Sequence, residues 1–200
     1  LATKESISRA MDALGKRGGA ALAVESRAEA GEKIKTLIPK GTTVMNGSSR
    51  TLEEIGFIEY LKSGNHGWDN LHEKILEEQD PAKQALLRKQ AILSDYYLGS
   101  VHAVAETGEF VVASNSGSQL PHIVFTSPNL IFVVGAQKIV PNLDAALRRV
   151  REYVLPLEDA RMREAGMGGS AISKLLIFER EPSFMGRKAH IIFVNEKLGF

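Results

Sequence analysis

The sequence predicts a single α/β domain in which one mixed, mostly parallel sheet is flanked by helices. Helix-period and short apolar runs alternate through the first half, which is the order of strand-helix-strand units. In the second half short apolar runs meet at glycine-bearing turns, which adds hairpin-like strands and makes the sheet mixed. A length of 200 residues, 44% of them hydrophobic, suits one full core rather than two independent ones. The expected domain therefore spans residues 1–200, with 62–80 as a polar surface excursion.

Ile7, Ala10, Met11 and Leu14 recur at helical spacing, and the glycines from Gly15 to Gly19 end that helix before the strand Ala20 to Val24. Ser26 with Glu29 makes a capping box for a helix whose apolar face is Ala30, Ile34, Leu37 and Ile38. The strand Thr42 to Met45 follows, then a polar loop, then a short helix from Leu52 in which Thr51 and Glu54 form a second capping box. After the excursion, Asp80-Pro81 opens a helix that places Ala82, Ala85, Leu86, Leu93 and Tyr97 on one side. Val101 to Glu106 and Glu109 to Ala113 read as two strands joined at Thr107-Gly108. Asn142 caps a helix with Leu143, Ala146, Leu147, Val150 and Val154 on one face, which Pro156 is expected to stop. Gly166 to Gly169 is a flexible loop, and Lys174 to Phe178 and Ala189 to Val194 read as a closing strand pair.

Composition excludes several function classes. With 25 basic against 24 acidic residues and a net charge of +1, no nucleic acid or anionic membrane partner is expected. Zero cysteines exclude disulfides, thiolate zinc sites, a cysteine nucleophile and a cysteine-held iron-sulfur cluster on this chain. The five histidines show no metal-ligand spacing with carboxylates, so no metal is expected. Apolar runs such as Leu130 to Val134 fall far short of the roughly eighteen residues a membrane helix needs, and a soluble, cytoplasmic protein is the expectation. No strand-linked G-x-G-x-x-G supports a dinucleotide cofactor.

Two polar loops are candidate binding elements. Asn46, Gly47, Ser48, Ser49, Arg50 and Thr51 lie between a strand and a helix, where free N–H groups and the arginine suit a phosphate or carboxylate. The same serines and threonine cap a helix equally well without any ligand. Ser114, Asn115 and Ser116 follow a strand, where open α/β folds bind ligands, or they form an ordinary solvated turn. His122 is a candidate acid or base near neutral pH, or else a hydrogen-bonded histidine at the core edge. Lys138 is placed to meet an anion or simply to end a strand.

The blocks AVAETGEFVVASNSG from Ala103, LPHIVF from Leu120, VGAQKIVPNLDAALRRVREY from Val134 and TLEEIGF from Thr51 resemble the LUD domain. With IIFVNEKLGF at the close, the resemblance spans roughly the whole chain and is to the C-type lactate-utilisation proteins. It implies the fold of the coenzyme A transferase-like superfamily, which also holds ribose-5-phosphate isomerase and glucosamine-6-phosphate deaminase. It further implies a small anionic metabolite as ligand and a role beside iron-sulfur partner proteins in oxidising L-lactate to pyruvate. Any cluster would then belong to a partner. Coenzyme A transferases use a glutamate in a Glu-Asn-Gly turn as nucleophile, and Glu106-Thr107-Gly108 is similar to that turn with threonine for asparagine. Two other readings stay open, a stand-alone enzyme or binder of a phosphorylated or coenzyme A-linked metabolite, and a non-catalytic scaffold.

Overall fold

The structure, a computed structural model, describes all residues from Leu1 to Phe200. Thr3 accepts the Ser6 N–H to cap α1 (Lys4–Lys16), which lays Ile7, Ala10 and Leu14 onto β1 (Gly19–Val24). Ser26 caps α2 (Arg27–Leu37), and its apolar Ala30 and Ile34 are fully buried. Then come β2 (Thr43–Asn46), the short helices α3 (Arg50–Glu54) and α4 (Phe57–Lys62), β3 (Asp69–Asn70), α5 (Leu71–Glu77) and α6 (Pro81–Gln90). The second half holds β4 (Tyr96–Gly99), β5 (Ala103–Ala105), β6 (Phe110–Ser114), β7 (Asn129–Gly135), β8 (Ile139–Val140), α7 (Leu143–Arg149), α8 (Leu155–Glu164), β9 (Lys174–Phe178) and β10 (Lys188–Val194).

The main sheet has the order β1-β10-β7-β4-β2-β3, and every pairing in it is parallel. A second sheet, β8-β5-β6-β9, carries the antiparallel pairings, so the fold is a mostly parallel α/β arrangement with its mixed part set apart. Strand alternation divides the core into two. Leu130, Phe132 and Val134 of β7 join Ile191 and Phe193 of β10 on one face, while Ile131, Val133, Ile192 and Val194 pack on the other. Phe110 of the second sheet stacks on Phe178 at 4.4 Å and meets Phe132 at 5.3 Å, which docks this sheet on the first core. Its opposite face buries Ala103 and Val111 under Ala146 and Val150.

Several elements differ from the sequence reading. Tyr97 lies on β4 rather than on the helix opened by Pro81, because the chain pairs Tyr97 with Leu130 and Met45 in the sheet. α6 itself buries no residue. The cap of α3 is Ser49, which accepts the Leu52 N–H, and not Thr51, which is buried inside the first turn. Pro156 does not stop its helix. A π-turn over Val150–Val154 carries the Leu155 N–H back five residues to Val150, and this wider register admits the proline ring. Strands β9 and β10 are not a hairpin; β9 pairs with β6 and β10 with β1 and β7. The excursion 62–80 is not wholly superficial, since His66, Trp68 and Ile75 are buried and Asp69–Asn70 is the sheet edge β3. No helix is long and apolar enough to cross a membrane.

A second π-turn, His122–Thr126, precedes β7, and its carbonyls are gathered by Arg187. That guanidinium donates to His122, Ile123, Val124 and Ser127 oxygens at 2.8–3.2 Å and pairs with the buried Glu181 at 3.4 Å. Arg187→Met leaves this carboxylate and these carbonyls without their cation, so a loss of about 3–5 kcal/mol is expected. Urea denaturation of wild type and variant measures it.

Candidate functional site

Because the main sheet is parallel, β2, β4 and β7 all end on one side, and the segments that follow them converge. Gly47 to Thr51 follow β2, Gly99-Ser100 close β4, and Lys138 sits in a short 3-10 turn after β7. Together with Ser114 to Ser116 at the end of β6 and side chains of the Val150–Val154 π-turn, α8 and the segment after it, they line a cavity of about 430 Å³. Ligands of open α/β sheets gather at such carboxyl ends.

Lys138 is the central group. It is only 4% exposed, and its Nζ donates to Thr51 Oγ1 and Ser100 Oγ, both at 3.0 Å. Those hydroxyls hand their own protons to carbonyls, Ser100 to Val133 at 2.7 Å and Thr51 to Leu198 at 3.4 Å. Their lone pairs are thereby turned toward the lysine. An ammonium has three N–H groups, so one is left for the cavity. Lys138 forms no ion pair with a carboxylate, unlike Arg50, which pairs with Glu54 at 3.1 Å and Glu53 at 3.5 Å. Burial, and then the nearby Arg149 charge, push the Lys138 amine down to about 7, with Glu54 acting weakly the other way. Arg149 stacks 4.8 Å from the Tyr153 ring, and its Nε is buried with no partner.

The structure thus brings together Gly47, Ser48, Ser49, Arg50, Thr51, Ser114, Asn115, Ser116 and Lys138 from the sequence candidates. Within that set the polar loops are largely self-satisfied. Ser49 is spent on its cap, Ser114 Oγ accepts the Gly117 N–H, and Asn115 takes the Ser173 hydroxyl. Gly47 makes room for the Tyr97 hydroxyl, because a Cβ there would stand 2.5 Å from it. Asn46 is buried behind the loop with its Nδ2 on the Gly47 carbonyl, outside the cavity lining.

Glu106, Thr107, Gly108 and His122 also lie outside that lining. Glu106 faces α1, where Arg9 Nε at 2.6 Å and the Ser6 hydroxyl hold its carboxyl below the usual range. Thr107 bonds to Glu109, and Gly108, at φ 98°, presses against the backbone of Ala13 where a Cβ would clash at 2.8 Å. The Glu-Thr-Gly turn is a seat for α1 rather than a site rim. His122 is 2% exposed, stacks on Tyr97 at 4.6 Å, and holds Ser94 and Ser127 hydroxyls at Nδ1. Burial pushes its imidazole down to about 4, so it is neutral at pH 7. Ser100, Tyr97 and His102 line the cavity and were not among the sequence candidates. His102 Nδ1 accepts the Ala113 N–H at 3.1 Å, and burial pushes this ring down to about 3. The signal for Ser100 and Tyr97 was the strand Tyr96–Gly99, hidden by its join to a helical run.

The LUD domain family model matches residues 7–194. The chain belongs to the LUD domain family. This LUD domain superposes on the crystal structure of a DUF162 family protein from Deinococcus radiodurans with a TM-score of 0.57. The two are 14% identical, and the match covers 97% of this chain and 98% of that one. No curated protein matches. No group of three or more His, Cys, Asp or Glu side chains in the LUD domain is arranged to hold a metal ion.

A base whose folded pKa is depressed destabilises the fold while it is protonated, and the penalty fades as pH rises from the folded toward the unfolded value. For Lys138 that window runs from about 7 to 10.5. Lys138→Met is therefore expected to raise stability by about 2–5 kcal/mol below pH 7, the gain shrinking as pH approaches 10. Denaturant melts of both proteins across that range check it.

Proposed function

We propose that this LUD domain is the anion-binding subunit of a lactate-utilisation system, working beside iron-sulfur partner proteins. The observation that carries the reading is the uncompensated Lys138 amine, with one N–H left over, at the carboxyl ends of β2, β4 and β7. A desolvated cation without a carboxylate partner gains most from an incoming anion, since attraction is stronger where water is excluded. L-lactate and pyruvate each offer such a carboxylate. The chain has no cysteine, so thiolate-held clusters and the electrons from lactate are assigned to a partner. Glu106 has no part in this chemistry, because it is committed to Arg9 and Ser6.

Anion binding here requires the protonated amine. Lactate and pyruvate affinities are expected to be flat below about pH 7 and to fall by about tenfold per pH unit above it, until the higher pKa of the bound form is reached. Isothermal titration calorimetry from pH 6 upward tests this, and Lys138→Met should abolish the heat at every pH. Binding that is unaffected by that substitution rejects the reading.

The partner half of the proposal is tested separately. Co-expression with cysteine-rich neighbouring gene products should yield a co-purifying complex whose clusters bleach on adding L-lactate. A LUD domain that elutes alone, with clusters indifferent to lactate, removes the iron-sulfur role while leaving the anion site standing.

A further inference from the structure

The cavity is two-sided, and only one side is accounted for by a small anion. At the carboxyl ends of the sheet stand Lys138 and the Tyr97 hydroxyl; Tyr97 is 3% exposed, and no protein group hydrogen-bonds its oxygen. The facing side comes from the π-turn, α8 and the segment after it, where Val150, Val154, Leu155, Met162 and Ile172 lie among the paired Glu158 and Arg161, with Met167 exposed at its edge. Val150 also belongs to the small core under the second sheet, which backs this side at the π-turn, while α8 itself buries no residue. A volume of about 430 Å³ falls in the range of pockets that enclose far larger ligands than a three-carbon acid.

The charges at the cavity bear on the head group. Arg161 is matched by Glu158 through two bonds at 2.7 and 2.8 Å, and Arg50 is matched by Glu54. That leaves Lys138 as the unmatched cation in the lining; the Arg149 charge stands behind it and is not a lining group, so the direct contact offered to a head group is one N–H, which suits a monocarboxylate. Against the opposite wall, a bound three-carbon acid would leave water on apolar surface. An alkyl chain displaces that water, and two methionines, Met162 and Met167, are flexible enough to fit chains of different length.

We propose that the site also accepts monocarboxylates with an extended apolar chain, the head on Lys138 and Tyr97 and the chain along Val154 and Met162. The proposal rests on the anion-binding reading and extends it from lactate and pyruvate to acids with longer chains.

Calorimetric titration with acetate, butyrate, hexanoate and octanoate at pH 6, alongside inorganic phosphate, tests it. Affinity is expected to rise about fourfold per added methylene, as burial of a CH₂ group predicts, with phosphate weaker than hexanoate. Met162→Asp should flatten that rise and Met162→Leu should restore it, both read at matched helical content. Octanoate binding should vanish in Lys138→Met. A flat series, in which acetate binds as well as octanoate, overturns the apolar chain and leaves the anion site intact. Octanoate binding that survives Lys138→Met overturns the head-and-chain arrangement. Failure of every acid and of phosphate to bind overturns both this inference and the reading beneath it.

Discussion

Two neighbouring strands, Asn129–Gly135 and Lys188–Val194, run parallel at the middle of the main sheet with apolar side chains on both faces, and the rest of the molecule is arranged by that fact. A strand buried on two sides needs cover on two sides. α1 and the second sheet supply it on one face, and α2 with the α3–α4 segment on the other. Each fully buried Leu, Ile, Val or Phe in these strands contributes about 1.5–3 kcal/mol, which no surface ion pair here approaches. The parallel sense then follows from the crossover connections, and with it the gathering of strand ends on one side. The location of the cavity is a consequence of this topology before any polar residue is considered.

Lys138 sits where that topology meets electrostatics. An ammonium sealed away from water is costly, and a protein relieves the cost by pairing the charge, by lowering the pKa, or by leaving the site open to a ligand. Pairing is absent, since Thr51 and Ser100 offer only lone pairs and Arg149 adds like charge. The second and third routes are therefore coupled. On the proposed reading an arriving carboxylate favours the protonated amine, so above neutral pH binding takes up a proton, and the interaction that secures the anion also offsets the desolvation of the amine. Glu54 is too weakly engaged to substitute for the ligand, being held by Arg50 and by the Gly199 N–H.

The fold was legible because it depends on periodicity. Ile7, Ala10 and Leu14 face one way on a helix, and the unbroken run from Leu130 to Val134 reads as a strand buried on both sides. Three features escaped for stated reasons. Tyr97 continues the helical pattern of Leu86 and Leu93 by spacing alone, yet the helix ends at Gln90 and the pairing partners of Tyr97 are distant in sequence. Pro156 signals a stop only if the helix keeps its four-residue register, which the π-turn gives up. The turn at Glu106 looked like a rim because the sequence cannot say which side of the sheet a hairpin tip faces. The structure turns it toward Arg9 and Ser6.

That placement bears on the nucleophile reading of Glu106. A glutamate nucleophile needs a carboxylate free to attack and an acyl group within reach, and Glu106 has neither, since both its oxygens are engaged and it lies off the cavity lining. The group at the cavity is a cation instead. His102, the titratable ring on that lining, is neutral at pH 7 and already accepts a backbone N–H, so it adds neither a base nor a second charge. A site with one amine, fixed hydroxyl acceptors and apolar side chains across from them suits the holding of an acid, and on the proposed reading the electrons of that acid pass to a partner.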